Sequence, residues 1–187
     1  MYHPGFPDDF GGSAHRAVTD LQKSRLGTDM LSLSRTFAAV GRYTLNYRNM
    51  YPADIVLPMK EELTENGFSE LLTAGDVTGQ LNQAGTTLVM INSVCGCSAG
   101  SARPGVLMAV NNATKRPDYL ATTFAGFDEE AVRAIRERLL PYPPSSPSIA
   151  LFRNGELVHF IERHAIEGRS AQAIATSLVQ AFENYCN

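Results

Sequence analysis

At 187 residues, with 44% hydrophobic and 19% charged side chains, the chain has the make-up of a globular domain with one proper core. Its formal net charge of −3, with no basic run or patch, argues against nucleic acid as a partner, and no apolar run reaches the roughly 20 residues that span a bilayer. Three cysteines are too few for a disulfide-stapled framework. The opening residues lack a basic region followed by an apolar stretch, so a cytoplasmic, thiol-reducing location is expected.

Residues 1–49 hold six basic and four acidic side chains, residues 50–187 ten and fifteen, so the charge changes sign near Met50. "MYHPGFPDDFGG" is too dense in Pro and Gly for a regular element. "AHRAVTDLQKSRL" and "DMLSLSRTFAAVGRYTL" read as short amphipathic helices. Residues 1–49 are therefore expected to be an N-terminal extension, poorly ordered or a helical appendage, ahead of a domain over 50–187; Met50 is itself a candidate start.

From there the pattern sharpens. "DIVLPMKEELTENGF" predicts a helix, with Pro58 in its first turn or kinking it and Gly67 stopping it. "DVTGQLNQAG" predicts a short helix and turn. "TTLVMINSV", β-branched and apolar, predicts a strand buried on both faces. "CSAGSARPGVLMAVNNA" predicts a helix that starts on small residues and contains Pro104, and "DYLATTFAG" a second strand. Asp128 is expected to cap the helix "EEAVRAIRERLL", whose charges run with the helix dipole. After the loop "PYPPSSPS", the segment "SIALFRNGELVHFIERH" predicts two strands joined at Asn154-Gly155. Ser170 opens "AQAIATSLVQAFENYC", where Ile174, Leu178 and Phe182 share one face.

From residue 86 the order is strand, helix, strand, helix, hairpin, helix: a right-handed βαβ unit and then a β-hairpin with its helix. The expected fold class is α/β and thioredoxin-like, a central mixed sheet flanked by helices. Chemistry is expected where the first of these strands ends and a helix begins, and Cys95 and Cys97 lie there.

A cysteine at a helix start faces unpaired amides and the positive end of the helix dipole, both of which favour thiolate over thiol. Cys95, just before the helix, is the expected nucleophile. Cys97, inside the first turn, is the expected resolving thiol. Helical residues two apart point to nearly opposite sides, so a Cys95–Cys97 disulfide is expected to need non-helical backbone, with Gly96 supplying the freedom. Such a strained pair is expected to favour mixed disulfides and isomerisation over strong dithiol reduction. Pro147 precedes a strand at the position of the thioredoxin-like cis-proline; a cis bond there would present the backbone of Ser146 to an incoming chain or small thiol. Arg103 and Arg163 are candidate cations for the thiolate or for a carboxylate-bearing thiol, although Arg103 also reads as a salt-bridging surface residue.

Other residues read more plainly. Cys186 reads as an exposed thiol near a frayed end, His159 as a structural strand residue, and His164 as a solvated turn residue. One CxC supplies two thiolates, whereas tetrahedral zinc or an iron–sulfur cluster takes four ligands, so no bound metal or other cofactor is expected.

"LPMKEELTENGF", "TTLVMINSVCGCSAGSARPGV", "TTFAGFDEEA", "PPSSPSIALFRNGELVHFIERHAIEGRS" and "AFENYC" together resemble the bacilliredoxin family of thioredoxin-fold proteins. The resemblance covers Met50 to Asn187 and includes the near-terminal cysteine; residues 1–49 fall outside it. It implies thiol–disulfide oxidoreductase or isomerase activity, with bacillithiol removed from S-bacillithiolated client proteins. It also implies that Cys95 attacks the mixed disulfide, that Cys97 resolves or modulates, and that Pro147 is the cis-proline. The Cys95-Gly96-Cys97 motif, Ser146, Pro147 and Arg103 make up the expected site. A non-catalytic thiol module, such as a metal or iron–sulfur carrier or a redox-sensing adaptor, is the alternative reading of the same cysteine pair.

Overall fold

The computed structural model describes residues 50–187; the helices expected within 1–49 lie outside the described residues. Helix α1 spans Ala53–Thr64, with Pro58 inside it rather than in its first turn. Gly67, at φ 88°, turns the chain out of α1 into the two-residue strand β1, Ser69–Glu70. Helix α2, Ala74–Leu81, starts on a capping box that sequence reading did not anticipate: Thr73 Oγ1 accepts from the Asp76 amide at 3.1 Å, and Asp76 Oδ2 accepts from the Thr73 amide at 2.9 Å.

Strand β2 is Thr86–Asn92 and is buried along its whole length. Leu88 and Met90 enter the core on one face of the sheet, Val89 and Ile91 the core on the other. The expected single helix after Cys97 divides in two, a π-helical turn over Ser98–Ala102 and then α3, Arg103–Asn112. Pro104 is the reason: without an N–H it cannot tie the preceding turn into α register, and the Arg103 amide reaches back to the Ser98 carbonyl. Strand β3, Tyr119–Phe124, and helix α4, Glu129–Arg138, follow. Strands β4, Ser148–Arg153, and β5, Glu156–Ile161, form a hairpin across Asn154 and Gly155, both at positive φ. A short 3₁₀ turn, Arg163–Ala165, leads to α5, Ala171–Tyr185, where Ser170 Oγ accepts from the Ala173 amide at 3.2 Å.

The sheet order is β1-β3-β2-β4-β5, with β1, β3 and β2 parallel and β4 and β5 antiparallel to their neighbours. This is the thioredoxin-like mixed sheet. Residues of α3 and α5 fill the core on one face, and those of α2 and α4 the core on the other. Helices α3 and α5 meet closely at Gly105, where a β-carbon would sit 2.8 Å from Ile174 Cβ and 2.9 Å from the Ala171 carbonyl. That contact anchors the helix carrying the cysteine turn.

Asp128 precedes α4 as expected, but its carboxylate makes no bond to the helix amides. Instead Oδ2 accepts from the Phe124 amide at 2.8 Å and Oδ1 from Lys60 Nζ at 2.9 Å. Lys60, 2% exposed, also lies 2.8 Å from Glu70 Oε1. A buried ammonium needs a carboxylate more than a solvated helix end needs a cap, and the tertiary pairing prevails.

Candidate active site

Strand β2 ends at Asn92, and the next three residues carry the chain over the carboxyl edge of the sheet to Cys95. Cys95 occupies the place of a helix cap. Its carbonyl accepts from the amides of Ser98 and Ala99 at 3.0 and 3.2 Å. Its sulfur accepts from the Ser98 amide at 3.4 Å and from the Ser93 hydroxyl at 3.3 Å. Cys97 is half-buried and packs against the core beneath α3. The two sulfurs are joined in a disulfide, with the α-carbons 5.4 Å apart.

The expectation of a non-helical backbone holds at Cys95 but not at Gly96 or Cys97. Gly96 and Cys97 are both helical, Cys97 at φ −67° and ψ −29°. Residues two apart diverge only when both belong to the helix, and Cys95 stands outside it, so the bridge closes across the cap. Gly96 is exposed, and a β-carbon there would find nothing within 4 Å. Its contribution is an open approach to the sulfurs rather than an unusual φ.

The floor of the turn is a buried polar network. Asn92 Oδ1 accepts from the Ser93 amide at 2.8 Å, the Ser98 hydroxyl at 2.7 Å and Arg103 Nη1 at 3.2 Å. Its own amide donates to the Met59 carbonyl of α1 at 3.2 Å. Arg103 Nη1 also donates to Ser98 Oγ at 3.3 Å and the Ser93 carbonyl at 3.4 Å. The other side of the guanidinium pairs with Glu62, Nε to Oε2 at 2.5 Å and Nη2 to Oε1 at 3.3 Å. Arg103 is 2% exposed. It is not the surface cation expected from the sequence but sits under the turn, held by an acid from α1, with its donors turned inward. Asn92, Ser93, Ser98 and Glu62 were missed by sequence reasoning. Their one signal was an apolar strand that ends in Asn-Ser immediately before the cysteine turn.

The second wall comes from β4. Ser148 pairs with Ile91, which carries Pro147 to the end of β2 where the cysteine turn begins. The Ser146–Pro147 bond is cis and Pro147 is buried. The carbonyl of Ser146 accepts from Arg163 Nη1 at 3.3 Å, and Arg163 Nε pairs with Glu167 at 2.7 Å. Arg163 thus reaches the site through the backbone of the cis-proline loop. A second cis bond, Leu140–Pro141, lies earlier in the same loop and was not anticipated.

The remaining candidates lie elsewhere. Cys186 is not an exposed terminal thiol: it is 4% exposed, packs in the core with α3 and α5, and burial pushes its thiol up. The Thr86 side chain reaches it, which puts it at the opposite end of β2 from Cys95, roughly 20 Å along the strand. His159 lies on β5, where desolvation holds its imidazole below the ordinary range, and His164 is exposed on the 3₁₀ turn. Among the described residues no group of three or more His, Cys, Asp or Glu side chains gathers to hold a metal ion, and no helix is long and apolar enough to cross a membrane.

Residues 51–186 match the family model described as disulphide isomerase. Curated bacilliredoxins are similar over the same region. One from Cytophaga hutchinsonii is 54% identical over 134 residues, covering 72% of this chain and 98% of that protein. One from Bacillus cereus is 52% identical over 137 residues, covering 73% and 95%. Among solved structures, the oxidized form of mitochondrial thioredoxin 3 from Saccharomyces cerevisiae aligns at 13% identity and a TM-score of 0.46, over 66% of this chain and 98% of that one.

Proposed function

Since the chain belongs to the bacilliredoxin family of disulphide isomerases and is a thiol–disulfide oxidoreductase, we propose that it removes a low-molecular-weight thiol, bacillithiol in the first instance, from mixed disulfides on cytoplasmic client proteins. The observation that carries this reading is the pair of donors on one sulfur: the Ser98 amide and the Ser93 hydroxyl both point at Cys95. Donors aimed at a sulfur stabilise it as an anion, and the anion is the attacking species in exchange.

The steps follow from the placement of the two cysteines. Cys95, as thiolate, attacks the small-thiol sulfur of the client's mixed disulfide. The client sulfur leaves with the bonding electron pair and takes up a proton from solvent, and the small thiol is now disulfide-bonded to Cys95. Cys97, deprotonated, attacks Cys95 Sγ, expels the small thiol as its thiolate, and closes the Cys95–Cys97 disulfide. The two electrons that reduced the client came from the cysteine pair. A small-thiol or dithiol reductant restores them. The backbone of Ser146, beside the cis-Pro147 bond, and the open face over Gly96 receive the client chain. Arg103 acts from below rather than by touching substrate.

The test uses the reduced full-length chain with a bacillithiolated protein and, in parallel, the same protein glutathionylated. Mass spectrometry is expected to find the small thiol on Cys95, with no transfer by Cys95→Ser and a persistent Cys95 adduct in Cys97→Ser. Equal rates on both substrates would remove the preference for bacillithiol. Absence of any transfer would remove the dethiolation reading.

A further inference from the structure

We infer that Arg103 and Glu62 act together as positioning residues for the exchange chemistry, setting from beneath the turn how readily the Cys95 sulfur becomes an anion. This rests on the exchange reading for its purpose but not for its physics. Arg103 Nη1 touches three oxygens, and all three belong to residues that build the turn: Asn92 Oδ1, the Ser93 carbonyl and Ser98 Oγ. Two of those residues, Ser93 and Ser98, are the ones that donate to Cys95 Sγ. The guanidinium is therefore linked to the sulfur through two residues, holding the carbonyl of one (Ser93) and the hydroxyl of the other (Ser98) while the hydroxyl of the first and the amide of the second meet the sulfur.

Two effects follow from that position. The Arg103 fork holds Ser93 and Ser98 so that their donors meet the sulfur, and its charge favours the thiolate through a partly buried medium. Glu62 opposes the second effect. Its side chain is 48% exposed and lies on the far side of the guanidinium, so its field at the sulfur is weaker and better screened. An ion pair with one buried and one half-exposed member is poor evidence of a stabilising role, because solvent screens the attraction while the buried charge still carries its desolvation cost. Nη1 of Arg103, the nitrogen that Glu62 leaves free, makes all its contacts on the cysteine turn instead.

The other charged groups around the site are already opposed by partners. Arg163 pairs with Glu167 beside the Ser146 carbonyl. Lys60 sits between Asp128 and Glu70, next in sequence to the Met59 carbonyl that Asn92 holds. Removing either member of the Arg103–Glu62 pair thus changes the net field at Cys95 most directly.

The experiment is pH-dependent alkylation of Cys95 in the reduced chain, with the modified site read by mass spectrometry. Arg103→Met is expected to raise the midpoint by roughly one pH unit and Glu62→Gln to lower it by a few tenths. Arg103→Lys, which keeps the charge but loses the fork, falls between wild type and Arg103→Met. A merely structural role would move Arg103→Met and Glu62→Gln in the same direction or leave the midpoint alone, and either result overturns the inference. Should Arg103→Met fail to fold, Arg103→Lys and Glu62→Gln decide it by the same opposition of sign. The midpoints are read without any client protein. Opposed shifts with no dethiolation would sink the proposed function alone; unchanged midpoints with dethiolation intact would sink this inference alone.

Discussion

The peptide nitrogen of Ser98 lies 3.4 Å from the sulfur of Cys95 and 3.0 Å from the carbonyl oxygen of the same residue. One amide at the start of a helix thereby serves both the backbone and the side chain of the residue that caps it. Neutral caps do the same with a hydroxyl or a carboxamide oxygen. Here the acceptor is the sulfur of the Cys95–Cys97 disulfide.

Ser93→Ala removes the only side-chain hydroxyl on that sulfur among the described residues and leaves the Ser98 amide in place. The alkylation midpoint of Cys95 is expected to rise by a few tenths of a pH unit, and exchange at neutral pH to slow by about two- to threefold. Thermal unfolding is expected to change by less than ~1 kcal/mol, since one weak bond to sulfur is lost. An unchanged midpoint would show that the hydroxyl is a bystander.

Cys186 and Cys95 are expected to separate cleanly by reactivity. Cys186 is 4% exposed and burial holds its proton on, whereas Cys95 is half-buried and supplied with donors. A brief iodoacetamide pulse at neutral pH on the reduced chain should label Cys95 and reach Cys186 only after denaturation. Cys186→Ala should retain exchange while costing about 1–2 kcal/mol for the lost core atom. Loss of exchange in that variant, with the fold intact, would make the third thiol a participant.

Lys60 sits between the carboxylates of Asp128 and Glu70, at 2.9 and 2.8 Å. Lys60→Met is expected to destabilise the chain by about 3 kcal/mol, because Asp128 is left charged and buried, and adding Asp128→Asn should recover at least half of that. Desolvation already raises the Asp128 carboxyl above its ordinary 3.8, against the attraction of Lys60. A raised carboxyl gives stability that is present below 3.8 and lost as pH rises through the raised value. Denaturant melts of Lys60→Met should therefore lose stability with rising pH more steeply than wild type. Parallel profiles would contradict the pairing.

His159 carries the opposite sign. Desolvation lowers its imidazole below 6.5, and its Nε2 is buried without a hydrogen-bond partner. A depressed base gives stability that is present above 6.5 and lost as pH falls through the lowered value. His159→Leu should flatten the fall in melting temperature on that acid side and leave the neutral value nearly unchanged. A variant that melts with the wild-type acid slope would assign the slope to other groups.

What could be read without coordinates was whatever local chemistry decides. An apolar, β-branched run placed β2 at the centre of the sheet, the Asn154-Gly155 pair turned the β4–β5 hairpin, and Ser170 capped α5. The order of these elements named the sheet, and the two cysteines lay at a strand-to-helix junction and joined in a disulfide. Each of these depends on neighbours in the chain, whose steric and hydrogen-bonding preferences act before anything folds.

The rest depended on partners that sequence proximity does not supply. Arg103 looked like a surface cation until Glu62, 41 positions earlier, was found against it. Asp128 looked like a helix cap until Lys60, 68 positions away, claimed its carboxylate. Cys186 looked like a loose end until α5 turned it into the core. Residue types and spacing sufficed to place the cysteine pair at the start of a helix; which groups hold the donors on Cys95 in place, and which charges surround it, was decided by burial. Only packing removes water from an arginine or a carboxylate, and only then does such a group need one particular partner.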